Sequence, residues 1–286
     1  MGPLIGSELH TLDGVLVETV PPAFALCPFG VFTTFVVIEG SALGLQYHLA
    51  RLSHDARALW DQDLDEQHVL DMLALHVAHL GSASATVRVT LFPAEFEVVW
   101  PAGAAGCRIL VSSRPATLPF QPLLDFSVGT AEFQRELPEV KSTSLVRQIQ
   151  LRREAQLRGY DDVLFTRGDQ VLEGATWAVV CWREGEVVTP RDGVLPSITA
   201  RFLGGIAEEM GWIFHQRSVT VAELLGADLV QAVNANHPAR AISVVDGIPL
   251  ARDHSLLVDV AAAYSGLSRS TVTMPSGTKK RRADEA

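Results

Sequence analysis

Of the 23 basic residues in this chain only three are lysines, and Lys279 and Lys280 lie in a terminal basic run. Lys141 is therefore the single lysine in the body of the protein. Where arginine supplies nearly all the positive charge, a retained lysine is a candidate for a task that a guanidinium cannot do, forming a Schiff base with a carbonyl. By count alone, a lysine left on the surface by chance is the simpler account. Downstream, Glu173 ends a hairpin strand, and Leu195-Pro196-Ser197-Ile198-Thr199 opens a helix. A helix start offers free backbone N–H groups and the positive end of the dipole, which suit a phosphate. In the first half Arg51 stands on a helix beside His48, in reach of the same phosphate.

An amine nucleophile, a carboxylate and a phosphate cradle are the parts that hold pyridoxal phosphate. The lysine takes the aldehyde, the carboxylate keeps a proton on the pyridine nitrogen, and the ring becomes a better electron sink.

Composition narrows the alternatives. The chain has 286 residues, 48% of them hydrophobic, enough for one large or two small domains with a real core. The net charge of −10 argues against nucleic-acid partners, which need a basic face. No long uncharged apolar run is present, so no membrane span is expected. The first residues carry Glu8, Asp13 and Glu18 without a basic start, so no secretory signal is read, and the expected location is cytoplasmic. The three cysteines, Cys27, Cys107 and Cys181, are scattered and fit a reducing compartment without metal-site spacing. Neither a dinucleotide fingerprint nor a P-loop occurs.

The elements that must position these groups read as two α/β domains. Residues 1–112 form the first, with strands at Val15 to Val17, Val31 to Ile38, Ala85 to Phe92, Phe96 to Trp100 and Arg108 to Ser112. Helical spacing marks His48 to Trp60 and Asp63 to Leu80. Residues 113–121, with two prolines, read as the linker. Residues 122–267 form the second domain, with a strand near Leu124 to Thr130 and a helix from about Ser144 to Arg158 stopped by Gly159. Hairpins turn at Gly168-Asp169 and Glu184-Gly185, and a helix after Thr199 stops at Gly211. Thr220 and Glu223 have capping-box spacing. Residues 268–286 read as a disordered tail.

Three further features read as bland. His76 and His79, on one helix with no carboxylate or thiol to complete a site, are taken as a solvated face. Arg167-Gly168-Asp169 is a hairpin turn, and Lys279-Lys280-Arg281-Arg282 a solvated tail.

With these residues in hand, the chain resembles the class IV aminotransferases, the fold-type IV pyridoxal-phosphate enzymes that include branched-chain and D-amino-acid aminotransferases and aminodeoxychorismate lyase. The resemblance rests on Phe32-Thr33-Thr34, His48-Leu49-Ala50-Arg51-Leu52, Val140-Lys141-Ser142 and Arg158-Gly159-Tyr160-Asp161-Asp162. It continues through Val171-Leu172-Glu173-Gly174-Ala175-Thr176, Thr189-Pro190, Leu195-Pro196-Ser197-Ile198-Thr199 and Val245-Asp246-Gly247, in the family's order. It implies a two-domain α/β (α+β) fold with the cofactor between the domains, a homodimer, and amino-acid and keto-acid substrates. Lys141 would carry the Schiff base and shuttle the proton. Glu173 would pair with the pyridine nitrogen, and Arg51, Ile198 and Thr199 would hold the phosphate. Asn234 and Ala235 stand where the family supplies a further phosphate contact, and Thr34 and Arg88 where substrate is met.

Departures from the pattern concern the surroundings of the cofactor. Ser197 stands where glycine is frequent, Ala200 where an arginine is, Ala178 where an asparagine is, and Val146 where many members place a tyrosine. Residues 27–30 lack the usual Gly-Asp-Gly run. Transamination and lyase-type elimination both begin with loss of the α-proton to the lysine. The strand after Arg88 lacks the arginine-rich loop of the lyases, which favours the aminotransferase outcome. A cofactor-free homologue acting as a binding protein is the alternative of another class.

Overall fold

The computed structural model describes residues 9–17, 29–116 and 120–272. The chain divides into two compact units. One runs to Ala116 and is rejoined by the chain from Arg269; the other ends at Ser268.

The first unit begins with β1 (Leu9–Leu12) and β2 (Val15–Leu16), then β3 (Val31–Ile38), β4 (Ser41–Ala42), α1 (Leu45–Trp60), α2 (Glu66–Leu80), β5 (Ala85–Phe92) and β6 (Arg108–Pro115). The second contains β7 (Ser127–Glu132), α3 (Val146–Leu157), β8 (Asp162–Arg167), β9 (Gln170–Gly174), β10 (Ala178–Arg183), β11 (Glu186–Thr189) and α4 (Ile198–Glu209). It continues with β12 (Ile213–Gln216), β13 (Val219–Thr220), α5 (Val221–Leu225), β14 (Leu229–Val233), β15 (Val244–Val245), β16 (Ile248–Pro249) and α6 (His254–Gly266). A last strand, β17 (Ser270–Thr271), returns to the first unit.

The first unit is a seven-stranded sheet in the order β17-β4-β3-β5-β6-β1-β2, with α1 against β3 and α2 against β6. Its periodicities explain the packing. Val87, Val89 and Leu91 alternate along β5 and are buried, while Leu49, Leu52 and Ala56 recur at helical spacing on α1 and are buried too. Burying such side chains contributes about 25 cal/mol per Å² of apolar surface removed from water. The opposite face of the sheet carries Phe32 and Thr34 of β3, directly paired with Thr90 and Arg88 of β5.

The second unit is a ten-stranded mixed sheet whose main path is β12-β11-β10-β9-β8-β7-β15-β16, with β13 paired to β9 and β14 to β10. β7 lies parallel to β8, and α3 packs on both, as a crossover helix between parallel strands does. The hairpin β10–β11 turns through Glu184 (φ 49°) and Gly185 (φ 83°), the positive-φ pair of a tight two-residue loop. α5 starts on the reciprocal Thr220–Glu223 capping box.

The structure differs from the sequence reading at five points. Residues 96–100 form no strand: Val98, Val99 and Trp100 are 72%, 87% and 67% exposed, and the only pairing nearby is the Glu95–Ala105 bridge. A β-rich run without a partner ladder stays a surface turn. Ser113, Arg114 and Pro115, read as linker, extend β6 against Val87, Thr86 and Ala85, with proline tolerated as the last strand residue. The tail read as disordered from 268 contains β17, which pairs with Ser41 and Ala42 of β4; residues 273–286, with the basic run, lie outside the described residues, as does Cys27. α6, not anticipated, is capped by Asp253 through the Leu256 N–H and buries Leu256, Leu257, Val260 and Tyr264.

His76 is the fifth. It is fully buried on α2, between Thr11 Oγ1 at 2.8 Å from Nδ1 and Ser113 Oγ at 2.9 Å from Nε2, and only His79 faces outward. Two hydroxyls can serve as both donors and acceptors, so they satisfy a neutral imidazole. Burial, with the nearby His79 and His10, pushes its pKa down to about 4. Among the described residues no cluster of potential metal ligands forms. No helix among them is long and apolar enough to cross a membrane.

Candidate active site

In the second unit β9 delivers Glu173 into the interior, where it is 8% exposed. Its Oε1 accepts the Nε–H of Arg135 at 2.8 Å, and its Oε2 accepts the Leu195 N–H at 3.3 Å. Burial raises the pKa of this carboxyl, opposed by Arg135, by the Leu195 N–H and by the charge of Lys141. An ionised carboxylate has about four lone-pair positions, so with two engaged another donor can be accepted. Lys141, half-buried, follows the turn that Val140 closes by donating its N–H to Leu137 O at 3.2 Å.

Leu195 leads into α4. Ser197 is the N-cap, in extended conformation, and its hydroxyl accepts the Ala200 N–H at 3.1 Å. The Arg201 N–H then takes the Ser197 carbonyl at 3.1 Å, the first bond of the helix ladder. Ile198 and Thr199 precede both, so their N–H groups remain for an anion in the way that helix starts bind phosphate. The serine standing where the resembling family frequently has glycine is thus employed as a cap. A cavity of about 370 Å³, within the usual range for small-molecule pockets, is lined by Glu173, Leu195, Pro196, Ser197 and Ala200.

Asn234, just after β14, spends its side chain locally. Its Oδ1 accepts the Asn236 and His237 N–H groups, each at 3.0 Å, and its Nδ2 donates to Thr176 O at 3.3 Å. Asn234 therefore shapes the turn that carries Ala235.

Sequence reasoning selected Lys141, Glu173, Ile198, Thr199, Asn234 and Ala235 in this unit; hydrogen bonds join Glu173 to Arg135, which also holds the Val140 carbonyl next to Lys141, and to the Leu195 N–H three residues before Ile198. It missed Arg135, for which the sequence carries no signal beyond a basic residue upstream of the lysine.

The other candidates lie in the first unit. Arg51 is half-buried on α1, one turn after His48, whose Nδ1 is 2.6 Å from the Thr33 hydroxyl. Arg88 lies over the Phe32 ring, 3.6 Å from its centroid, and donates Nε–H to Thr90 Oγ1 at 3.2 Å. Burial lowers its pKa, and among the described residues it has no carboxylate partner. A partly desolvated guanidinium without an anion suits a carboxylate ligand.

The model of the amino-transferase class IV family matches residues 30–245. The chain belongs to the class IV aminotransferases. No curated protein sequence matches it significantly. Among solved structures it is similar to the fold IV transaminase CpuTA1 from Curtobacterium pusillum, with 23% identity over 90% of this chain and 97% of that one, at a TM-score of 0.78. The branched-chain amino acid aminotransferase from Thermobaculum terrenum, in its pyridoxal-phosphate form, has 17% identity over 91% and 93%, at a TM-score of 0.81. An aminotransferase from Brucella abortus bound to the same cofactor has 20% identity over 90% and 97%, at 0.77. At these identities the likeness establishes the fold, which is fold-type IV. The class IV family comprises pyridoxal-phosphate enzymes, and the residues assembled around Glu173 fit that cofactor: an amine whose charge acts on a buried carboxylate, and a helix start with two N–H groups unspent.

Proposed function

We propose that this class IV aminotransferase moves an amino group between an amino acid and a 2-keto acid, with pyridoxal phosphate joined to Lys141. One observation carries the reading: the only lysine in the body of the chain directly follows Val140, whose carbonyl accepts a bond from the same Arg135 that pairs with the buried carboxylate of Glu173. When bound, the cofactor supplies the electron sink that makes the substrate's α-proton acidic.

The residues divide the work. Lys141 Nζ holds the cofactor, then takes the proton from the substrate α-carbon and returns it. Glu173 holds a proton on the pyridine nitrogen, a pairing that its buried setting strengthens. The Ile198 and Thr199 N–H groups and the Asn234–Ala235 turn bind the phosphate. Arg88, with Thr34 beside it on the sheet face, takes the substrate carboxylate. The likeness to the family supports a homodimer, and the cysteine usage supports the cytoplasm.

Purified protein should be yellow, and borohydride should bleach it and leave the cofactor mass on the peptide containing Lys141. Dependence on a second keto acid marks transamination. Pyruvate released from a single amino acid, or from aminodeoxychorismate, marks elimination instead. Colourless protein that gains no adduct from added pyridoxal phosphate overturns both in favour of a binding protein.

A further inference from the structure

Arg135 uses all three of its guanidinium nitrogens inward. Nε–H goes to Glu173 Oε1 at 2.8 Å, one terminal nitrogen to Val140 O at 3.0 Å, and the other to Pro138 O. Both partners of the ion pair are only 11% exposed at their side chains. Val140 is the residue before Lys141, and the turn it closes is otherwise open to solvent, with Leu137 53% exposed.

We infer that Arg135 is a positioning residue that locks the lysine-bearing turn and the Glu173 carboxylate into one unit. This rests on the reading of Lys141 and Glu173 given above. The physical basis is the planar fork. A guanidinium has five N–H donors in fixed directions, so fixing one bond to the carboxylate fixes the other two on the Pro138 and Val140 carbonyls. The Leu195 N–H holds the second carboxylate oxygen, so the same carboxylate also registers the start of α4. An ammonium at position 135 restores charge but cannot reproduce the fork. An apolar side chain there leaves Glu173 buried without its cation, and a carboxyl so placed takes up a proton.

The test uses the cofactor-loaded protein as it is purified, comparing wild type with Arg135→Met and Arg135→Lys. For Arg135→Met, cofactor affinity, read by absorbance titration after removal and re-addition, should fall at least about tenfold, the size of one lost charge-assisted hydrogen bond. The midpoint of the pH titration of the bound cofactor's visible band should rise by about one unit or more, because a ring that has lost its proton withdraws less from the nitrogen conjugated with it. Arg135→Lys should return the midpoint to the wild-type value while recovering only part of the affinity. A wild-type midpoint and affinity in Arg135→Met overturns the inference, even if thermal stability falls. Should Arg135→Met not fold, wild-type affinity in Arg135→Lys overturns it equally. A wild type that never turns yellow sinks the cofactor reading itself, whereas a yellow wild type with indifferent variants sinks only the role of Arg135.

Discussion

Leu195 donates its backbone N–H to Glu173 Oε2 at 3.3 Å, joining the end of β9 to the turn that opens α4. Through this bond the group proposed to meet the pyridine nitrogen and the groups proposed to meet the phosphate are held in one register.

Lys141→Ala should abolish turnover, by more than about a thousandfold, since the covalent anchor and the proton carrier are removed together. Glu173→Gln should slow turnover about a hundredfold while borohydride still fixes the cofactor on Lys141. Single-turnover kinetics on both variants check this, and an unchanged rate in Glu173→Gln sinks the electron-sink role.

Arg88→Met should raise KM for the amino and keto acids roughly 10- to 100-fold with a smaller change in kcat, as expected when a charged hydrogen bond to the substrate carboxylate is lost. Steady-state kinetics decide it. Cofactor affinity should not change.

Ser197→Ala should destabilise the second unit by about 1 kcal/mol, because the Ala200 N–H loses its cap. Ser197→Gly should cost only a few tenths of that unit of energy. Urea unfolding followed by circular dichroism separates the two.

Gly174→Ala should reduce stability by roughly 1–3 kcal/mol or prevent folding, and should weaken the site with it. A methyl at this position overlaps the indole of Trp177. That indole is held by its Nε1–H to Asp162 Oδ2 at 3.0 Å, and the Gly174 N–H bonds Trp177 O at 2.8 Å, so neither can retreat. Thermal unfolding of the purified variant checks the direction.

His76 makes the first unit acid-sensitive. Its folded pKa of about 4 lies below the ordinary value of 6.5, so the unfolded chain binds the proton more readily. Stability is therefore full above pH 6.5, falls as the pH drops toward 4, and levels off below, with a total loss on the order of 3 kcal/mol. Denaturant midpoints across that range should show the slope, and His76→Asn should remove it.

Much of this was legible in the residues themselves. The turns at Gly168 and Glu184-Gly185, the Thr220–Glu223 capping box and the strands at 31–38 and 85–92 follow from local chemistry: positive φ, side-chain capping and the two-residue period. The scarcity of lysine singled out Lys141, and the order of the motifs pointed to Glu173 and the start of α4. Tertiary structure alone decided the rest. Arg135 and Glu173 lie 38 residues apart, and Thr11 and His76 lie 65 apart, so no local spacing announces either pair. Val98, Val99 and Trp100 have the composition of a strand but no ladder to join. Local propensity is set by a residue and its near neighbours along the chain. Burial and pairing depend on which distant segments the fold brings alongside, and that is what makes partners of Arg135 and Glu173.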